Sequence, residues 1–210
     1  MRAQLRTGGR SRAAGRRTRL LAFAVGVCAA AAGCGPFDAN RGAAEAHALD
    51  ARTGTPPFPA SGSRAPDFEL APLLLDAPWV GTDSVRLSDL RGRWVYLDVF
   101  GSWCLPCRER HPEMLRVADA LRAQGAEVVG LLLEDRPETA ARWLVEHGAG
   151  YPFLVVDDRT ARTWGLTGAP MGFLISPEGR VERACHGCAH GEHAIEGLPA
   201  EVRRLRKGRS

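Results

Sequence analysis

Two C-x-x-C pairs, Cys104-Leu105-Pro106-Cys107 and Cys185-His186-Gly187-Cys188, are the residues of this chain best suited to do chemistry. A thiolate attacks a disulfide where a thiol does not, so a redox cysteine needs surroundings that stabilise its ionised form. A helix amino terminus supplies them through unpaired amide groups and the helix dipole. The first pair stands at such a place. The apolar run Trp94 to Phe100 reads as a strand, the segment from Leu105 reads as a helix, and Cys104 falls at the start of that helix with Cys107 one turn later. Pro106 suits the first helical turn, which needs no amide hydrogen from it. In this layout Cys104 attacks a partner's disulfide and Cys107 resolves the mixed disulfide. The spacing alone is shared with zinc ribbons and structural disulfides, so the surroundings must decide.

Periodicity gives the elements that hold this junction. Strands are predicted at Phe68 to Leu70, Val85 to Leu87, Trp94 to Phe100, Val128 to Leu133, Gly172 to Ser176 and Val181 to Ala184. Helices are predicted at Leu105 to Arg122, Pro137 to His147, around Thr160 to Trp164, and Ile195 to Lys207. Strands alternating with helices predict an α/β fold about a central sheet. Ser176-Pro177-Glu178-Gly179 predicts a hairpin between the last two strands, which makes the sheet mixed. Trp94, Trp143 and Trp164 are assigned to the core, and Glu134-Asp135 to capping the helix that follows them. The basic run Arg203 to Lys207 is the solvated end of the last helix, where positive charge complements the dipole.

Three segments then fall into a recognisable order: Ala65-Pro66-Asp67-Phe68-Glu69-Leu70, Leu87-Ser88-Asp89-Leu90-Arg91-Gly92, and Gly101-Ser102-Trp103-Cys104-Leu105-Pro106-Cys107-Arg108. Their order and spacing resemble the thioredoxin superfamily, in particular the exported TlpA/ResA/CcmG group of thiol-disulfide oxidoreductases. The resemblance runs from about Ala65 to Arg206. It implies a thioredoxin-like fold, a central mixed β-sheet flanked by helices, with an amino-terminal β extension and a central βα insertion. It implies that Pro112 interrupts the active-site helix. Thr167-Gly168-Ala169-Pro170 resembles the loop whose cis-proline faces the dithiol, so Pro170 would shape the substrate groove and Trp103, Pro106 and Ala169 would line it. Asp98, six residues before Cys104, stands where thioredoxin has a buried acid and where many TlpA-like proteins carry Asn. Apolar surroundings disfavour the charged form of a carboxyl group, which suits Asp98 to accept the proton of Cys107. Met171-Gly172 departs from the Thr-rich pair common after the cis-proline, which leaves the substrate-facing surface open. Peroxiredoxins share the Ala-Pro-Asp-Phe opening, but Trp103-Cys104-Leu105-Pro106-Cys107 is not their peroxidatic pattern.

The second pair has no counterpart in that pattern. It continues as Ala189-His190-Gly191-Glu192-His193, and three readings stand. Cys185 and Cys188 form a structural disulfide before the final helix, or a second redox pair relaying electrons to Cys104/Cys107, or a metal site with His190 and His193. Covalent haem attachment needs His directly after the second cysteine, and Ala189 occupies that place. No cofactor is required by the first pair; the metal reading of the second makes a metal-handling module on the same scaffold the rival function.

The amino terminus addresses the protein. Arg2, Arg6, Arg10, Arg12, Arg16, Arg17 and Arg19 precede an uncharged stretch from Leu20 to Gly33, the layout of an export signal. The fourteen residues of that stretch fall short of the roughly 20 that a spanning helix needs. Ala31-Ala32-Gly33-Cys34 resembles a bacterial lipobox, with Ala31 where Leu is more usual; Cys34 then carries a lipid anchor, while ordinary cleavage nearby would release a soluble protein. Residues 1–33 are assigned to the signal peptide and 34–64, rich in Ala, Gly, Pro and Ser, to a flexible tether. Residues 65–207 form the domain. Without the seven leading arginines, 21 basic residues face 24 acidic ones, so no basic surface argues for nucleic acid. Export also fits the cysteine count, since a C-x-x-C disulfide persists in an oxidising compartment. The resemblance implies the periplasmic side of the cell envelope, exported cysteine proteins as substrates and a membrane protein as electron donor.

Overall fold

The computed structural model describes residues 58–73, 83–188 and 194–208, all within the compact unit that begins at Asp38. The signal segment, Cys34, most of the assigned tether, His190 and His193 lie outside the described residues.

Seven strands and four α-helices follow one another as β1 (Glu69–Leu70), β2 (Val85–Arg86), β3 (Trp94–Phe100), α1 (Leu105–Arg122), β4 (Ala126–Leu132), α2 (Pro137–His147), β5 (Phe153–Val155), α3 (Asp158–Thr163), β6 (Met171–Ile175), β7 (Val181–His186) and α4 (Leu198–Lys207) among the described residues. β1 and β2 form a small antiparallel ribbon, the expected amino-terminal extension. The other five strands make one sheet in the order β5-β4-β3-β6-β7. β3, β4 and β5 run parallel; β6 and β7 are antiparallel to their neighbours, so the sheet is mixed as the hairpin signal implied. The turn closes where Gly179 donates its N–H to Ser176. β5 was not anticipated. It has three residues, too short for a periodic signal, and forms because β4 presents an unpaired edge to it.

All seven residues of β3 are buried, which marks it as the central strand. Its alternate side chains enter two cores. Trp94, Tyr96 and Phe100 meet Met114, Val117 and Leu121 of α1, Leu144 of α2 and Val202 of α4. Val95, Leu97 and Val99 meet Phe68, Leu70, Trp164 and Phe173 on the other face. The tryptophans follow the expectation in part. Trp94 and Trp164 are buried, whereas Trp143 is half-buried and stacks on His147 with its ring centroid 4.3 Å away.

Packed chain among the described residues begins upstream of the expected start at Ala65. Phe58 stacks on His186 at 4.2 Å, Gly62 donates to Val181 and Val181 donates back to Ser63, so 58–64 lies along the outer edge of β7. Phe58 and the backbone pairing explain why this part of the proline-rich stretch packs. The chain then crosses one sheet face, burying Ala65, Phe68 and Leu70, and reaches the opposite edge. There Leu73 donates to Phe153 and Val155 donates to Ala71.

Gly172 shows why its neighbour pair departs from the Thr-rich pattern. It lies opposite Asp98 on β3 and Cys185 on β7, and the Tyr96 ring and hydroxyl fill the space where a side chain would stand. Met171 is buried, so the pair belongs to the core. Gly172→Ala is expected to destabilise the fold by about 1–3 kcal/mol, the usual range for overpacking. Denaturant melts of Gly172→Ala and of Gly172→Ala/Tyr96→Phe check this: removing the hydroxyl recovers part of the loss.

Candidate active site

Four loops converge at one end of the sheet. β3 and β4 run parallel and end there, leading to 101–104 and 133–135, while the antiparallel β6 starts there after Ala169-Pro170. β7 pairs His186 with Met171, so 186–188 completes the group. The two C-x-x-C pairs and the proline loop therefore occupy the same end of the molecule.

Cys104 is the N-cap of α1 and is joined to Cys107 by a disulfide. Its Sγ accepts the Cys107 N–H at 3.2 Å, and Pro106 occupies the first turn as anticipated. Both cysteines are buried, at 3 % and 1 % exposure, yet Trp103 and Leu105 beside them are 51 % and 61 % exposed. An apolar rim thus surrounds a recessed disulfide. Pro106 is exposed, Ala169 half-buried and Pro170 buried after a cis peptide bond. Pro112 lies inside α1.

Two side chains that bond the backbone fix the approach to Cys104. The Trp103 ring folds back over Gly101, occupying the space a side chain there would need, and its Nε1–H donates to the Leu133 carbonyl at 3.2 Å. Asp135 accepts the Ser102 N–H. The assignment of Asp135 to helix capping is corrected: Arg136 is the N-cap of α2, without a side-chain cap, and Asp135 ties the β4 end to the Cys104 loop. Sequence proximity to Pro137 suggested the nearer role.

Asp98 is buried on the α1 face of β3. The expectation of a lone carboxyl among apolar side chains is corrected. Arg110, one turn after Cys107, forms an ion pair with its Oδ1, and the Tyr151 hydroxyl donates to Oδ2 at 2.8 Å. Burial opposes the charge on Arg110, but the adjacent Asp98 and the flanking Tyr96 and Tyr151 hydroxyls outweigh it and hold the guanidinium charged. Burial, and then Asp98, pushes Tyr96 up to about 12 and Tyr151 well above its ordinary range. Arg110 and Tyr151 escaped the sequence reading because an Arg in a helix reads as solvated, and Tyr151 precedes the strand too short to detect.

Cys185 and Cys188 form a second disulfide, almost wholly buried against the same core as the first. Bonded to each other, these sulfurs are not thiolate ligands, and the described residues contain no cluster suited to a metal. The turn between them is anchored: Gly187 donates its N–H to the Pro170 carbonyl at 2.8 Å. That hydrogen bond fastens this disulfide to the proline loop.

His111 packs edge-on against Trp143, and its Nε2–H donates to the Gly148 carbonyl at 2.6 Å. Burial lowers its pKa from the ordinary 6.5. The unfolded chain therefore binds the proton more readily, so this contribution to stability is present above about pH 6.5 and is lost as the pH falls through the lower folded value. Thermal melts from pH 7.5 to 5 are expected to show declining stability, with a shallower decline in His111→Gln. Replacing both Cys185 and Cys188 by Ser is expected to cost roughly 2 kcal/mol in denaturant melts, as for a short closed loop.

Comparison with known proteins agrees with this geometry. Residues 61–184 match the AhpC/TSA family. The chain is 32 % identical over 127 residues to the thiol:disulfide interchange protein HelX of Rhodobacter capsulatus, covering 60 % of this chain and 67 % of that one. It is 38 % identical over 139 residues to the thiol:disulfide interchange protein DsbE of Xylella fastidiosa, covering 64 % and 65 %. A crystal structure of a DsbE-type thiol:disulfide interchange protein from Chlorobium tepidum superimposes with a TM-score of 0.59 at 31 % identity, over 70 % of this chain and 97 % of that one. The fold is thioredoxin-like. The chain spans about two thirds of the length of the sequence relatives.

Proposed function

This chain belongs to the AhpC/TSA family and is a thiol-disulfide oxidoreductase, and from that premise we propose that it exchanges disulfides with exported proteins through Cys104/Cys107. The observation that carries the reading is the disulfide at the amino terminus of α1, recessed within the exposed rim of Trp103 and Leu105 and set at the same sheet end as Pro170. A partner's extended segment lies along the loop of Ala169 and Pro170 with its sulfur over Cys104. Cys104 then forms the mixed disulfide, and Cys107, one turn on, resolves it. The dipole of α1 stabilises the thiolate of Cys104 in its reduced form.

The protein works in the cell envelope, on the periplasmic side. The export-signal layout of residues 1–33 supports this, and Cys34 is the proposed lipid attachment. Among the described residues no helix is long and apolar enough to cross a membrane. The proposed direction is reductive, towards disulfides of exported proteins such as apocytochrome c or copper-site thiols, with a membrane protein restoring the dithiol. This rests on the resemblance to the TlpA/ResA/CcmG group. The second pair is a clamp in this reading and neither relays electrons nor holds metal.

Four measurements check the proposal. Cys104→Ser is expected to abolish reduction of a disulfide substrate, and Cys107→Ala to accumulate covalent mixed disulfides that a reductant releases. A Cys185→Ser/Cys188→Ser variant that still folds is expected to keep turning over; complete loss of turnover would favour an electron relay. The reduction potential fixes the direction, since a value near thioredoxin's roughly −270 mV marks a reductant and one near DsbA's roughly −120 mV an oxidant.

A further inference from the structure

Arg110 is an unusual residue to find beneath a redox disulfide. Its side chain is only 7 % exposed, yet it carries a full charge into the core on the face that α1 turns to β3. Asp98 takes one arm of the guanidinium, and Nε and Nη1 have no acceptor among the described residues. A buried ion pair is a poor device for stability, because an apolar pair of similar volume commonly serves as well or better. Its position suggests a different use. Cys107 and Arg110 stand three residues apart on one helix, a spacing that brings Cβ atoms to about 5–6 Å.

The chemistry of the adjacent pair gives that charge something to act on. When a partner dithiol reduces this disulfide, one partner thiolate attacks Cys104 Sγ, the Cys104–Cys107 bond breaks, and Cys107 leaves with the electron pair as a thiolate. The partner's second thiolate then attacks the mixed disulfide and releases Cys104, so two electrons enter the chain and the partner ends as a disulfide. The sulfur that leaves first is the more deeply buried of the two. Apolar burial disfavours its anionic form, and a fixed cation one helical turn away favours it.

We propose that Arg110 is a positioning residue that sets the reduction potential of Cys104/Cys107 by stabilising the thiolate of Cys107, and that Asp98 restrains this effect as its counter-charge. The inference rests on Cys104/Cys107 being the reacting pair. The two residues therefore act on the potential with opposite sign. Loss of the cation destabilises the reduced form and makes the potential more negative; loss of the anion leaves the cation uncompensated and makes it less negative. Tyr151, the other donor to Asp98, holds the carboxylate on the side away from Arg110's contact.

The test is equilibration of the full chain with glutathione buffers, reading the thiol–disulfide equilibrium constant of each variant. Arg110→Gln is expected to disfavour the reduced form by about tenfold, since an opposite charge at this range moves a thiol's pKa by a unit or more, and tenfold corresponds to about 30 mV. Asp98→Asn is expected to shift the constant in the other direction, and Arg110→Lys to stay close to the parent. Opposite signs are the signature, because a merely structural role moves both variants alike or neither. Equal shifts, or none, overturn the proposal. Should Arg110→Gln fail to fold, Asp98→Asn decides alone: an unchanged or more negative potential overturns it. Failure of the premise looks different, since Cys104→Ser would then leave disulfide exchange intact.

Discussion

A charge buried next to a disulfide is the constraint around which this domain is organised. Asp98 sits in the middle of the central strand, where every neighbouring position is apolar, and an isolated carboxylate there would be strongly disfavoured. Arg110 and Tyr151 answer that cost from two directions, one from the active-site helix and one from the loop before β5. The three residues thereby join β3, α1 and the loop before β5. Around them the packing is aromatic, with Phe153 against both Phe100 and Tyr151, and Gly172 yields the space that Tyr96 needs. The identity of a residue on β6 is thus set by a hydroxyl on β3.

The same end of the sheet concentrates the chemistry. Strand direction alone brings together the ends of β3, β4 and β7 and the start of β6, so residues far apart in the chain, Cys104, Asp135, Pro170 and Cys188, become neighbours in the fold. Each hydrogen bond among these loops has a backbone partner: the Ser102 amide donates to the Asp135 carboxylate, the Trp103 indole to the Leu133 carbonyl, and the Gly187 amide to the Pro170 carbonyl.

Much of this was legible in the sequence because it depends on local signals. The run from Trp94 to Phe100, the hairpin at Ser176-Pro177-Glu178-Gly179 and the cysteine at a strand-helix junction each carry their meaning within a few residues. Met171-Gly172 was legible as a departure but not as a cause, since the hydroxyl that explains it comes from Tyr96. Arg110 was missed and Asp135 misjudged for the same reason. Their partners, Asp98 and the Ser102 amide, lie 12 and 33 residues away, and a charged residue near a helix is solvated far more often than it is buried. The second cysteine pair illustrates the opposite limit: its spacing was plain, but only burial and pairing distinguish a disulfide from a ligand set.

The run from Phe58 to Leu73 has one more consequence. An open sheet has two outer strands whose unpaired amides and carbonyls invite other chains to add on. Here a single stretch of chain answers both ends. It hydrogen-bonds along β7 at Gly62 and Ser63, passes over the sheet, and hydrogen-bonds along β5 at Ala71 and Leu73. One stretch of chain therefore occupies part of each outer edge, and a protease cutting within it would loosen both margins at once.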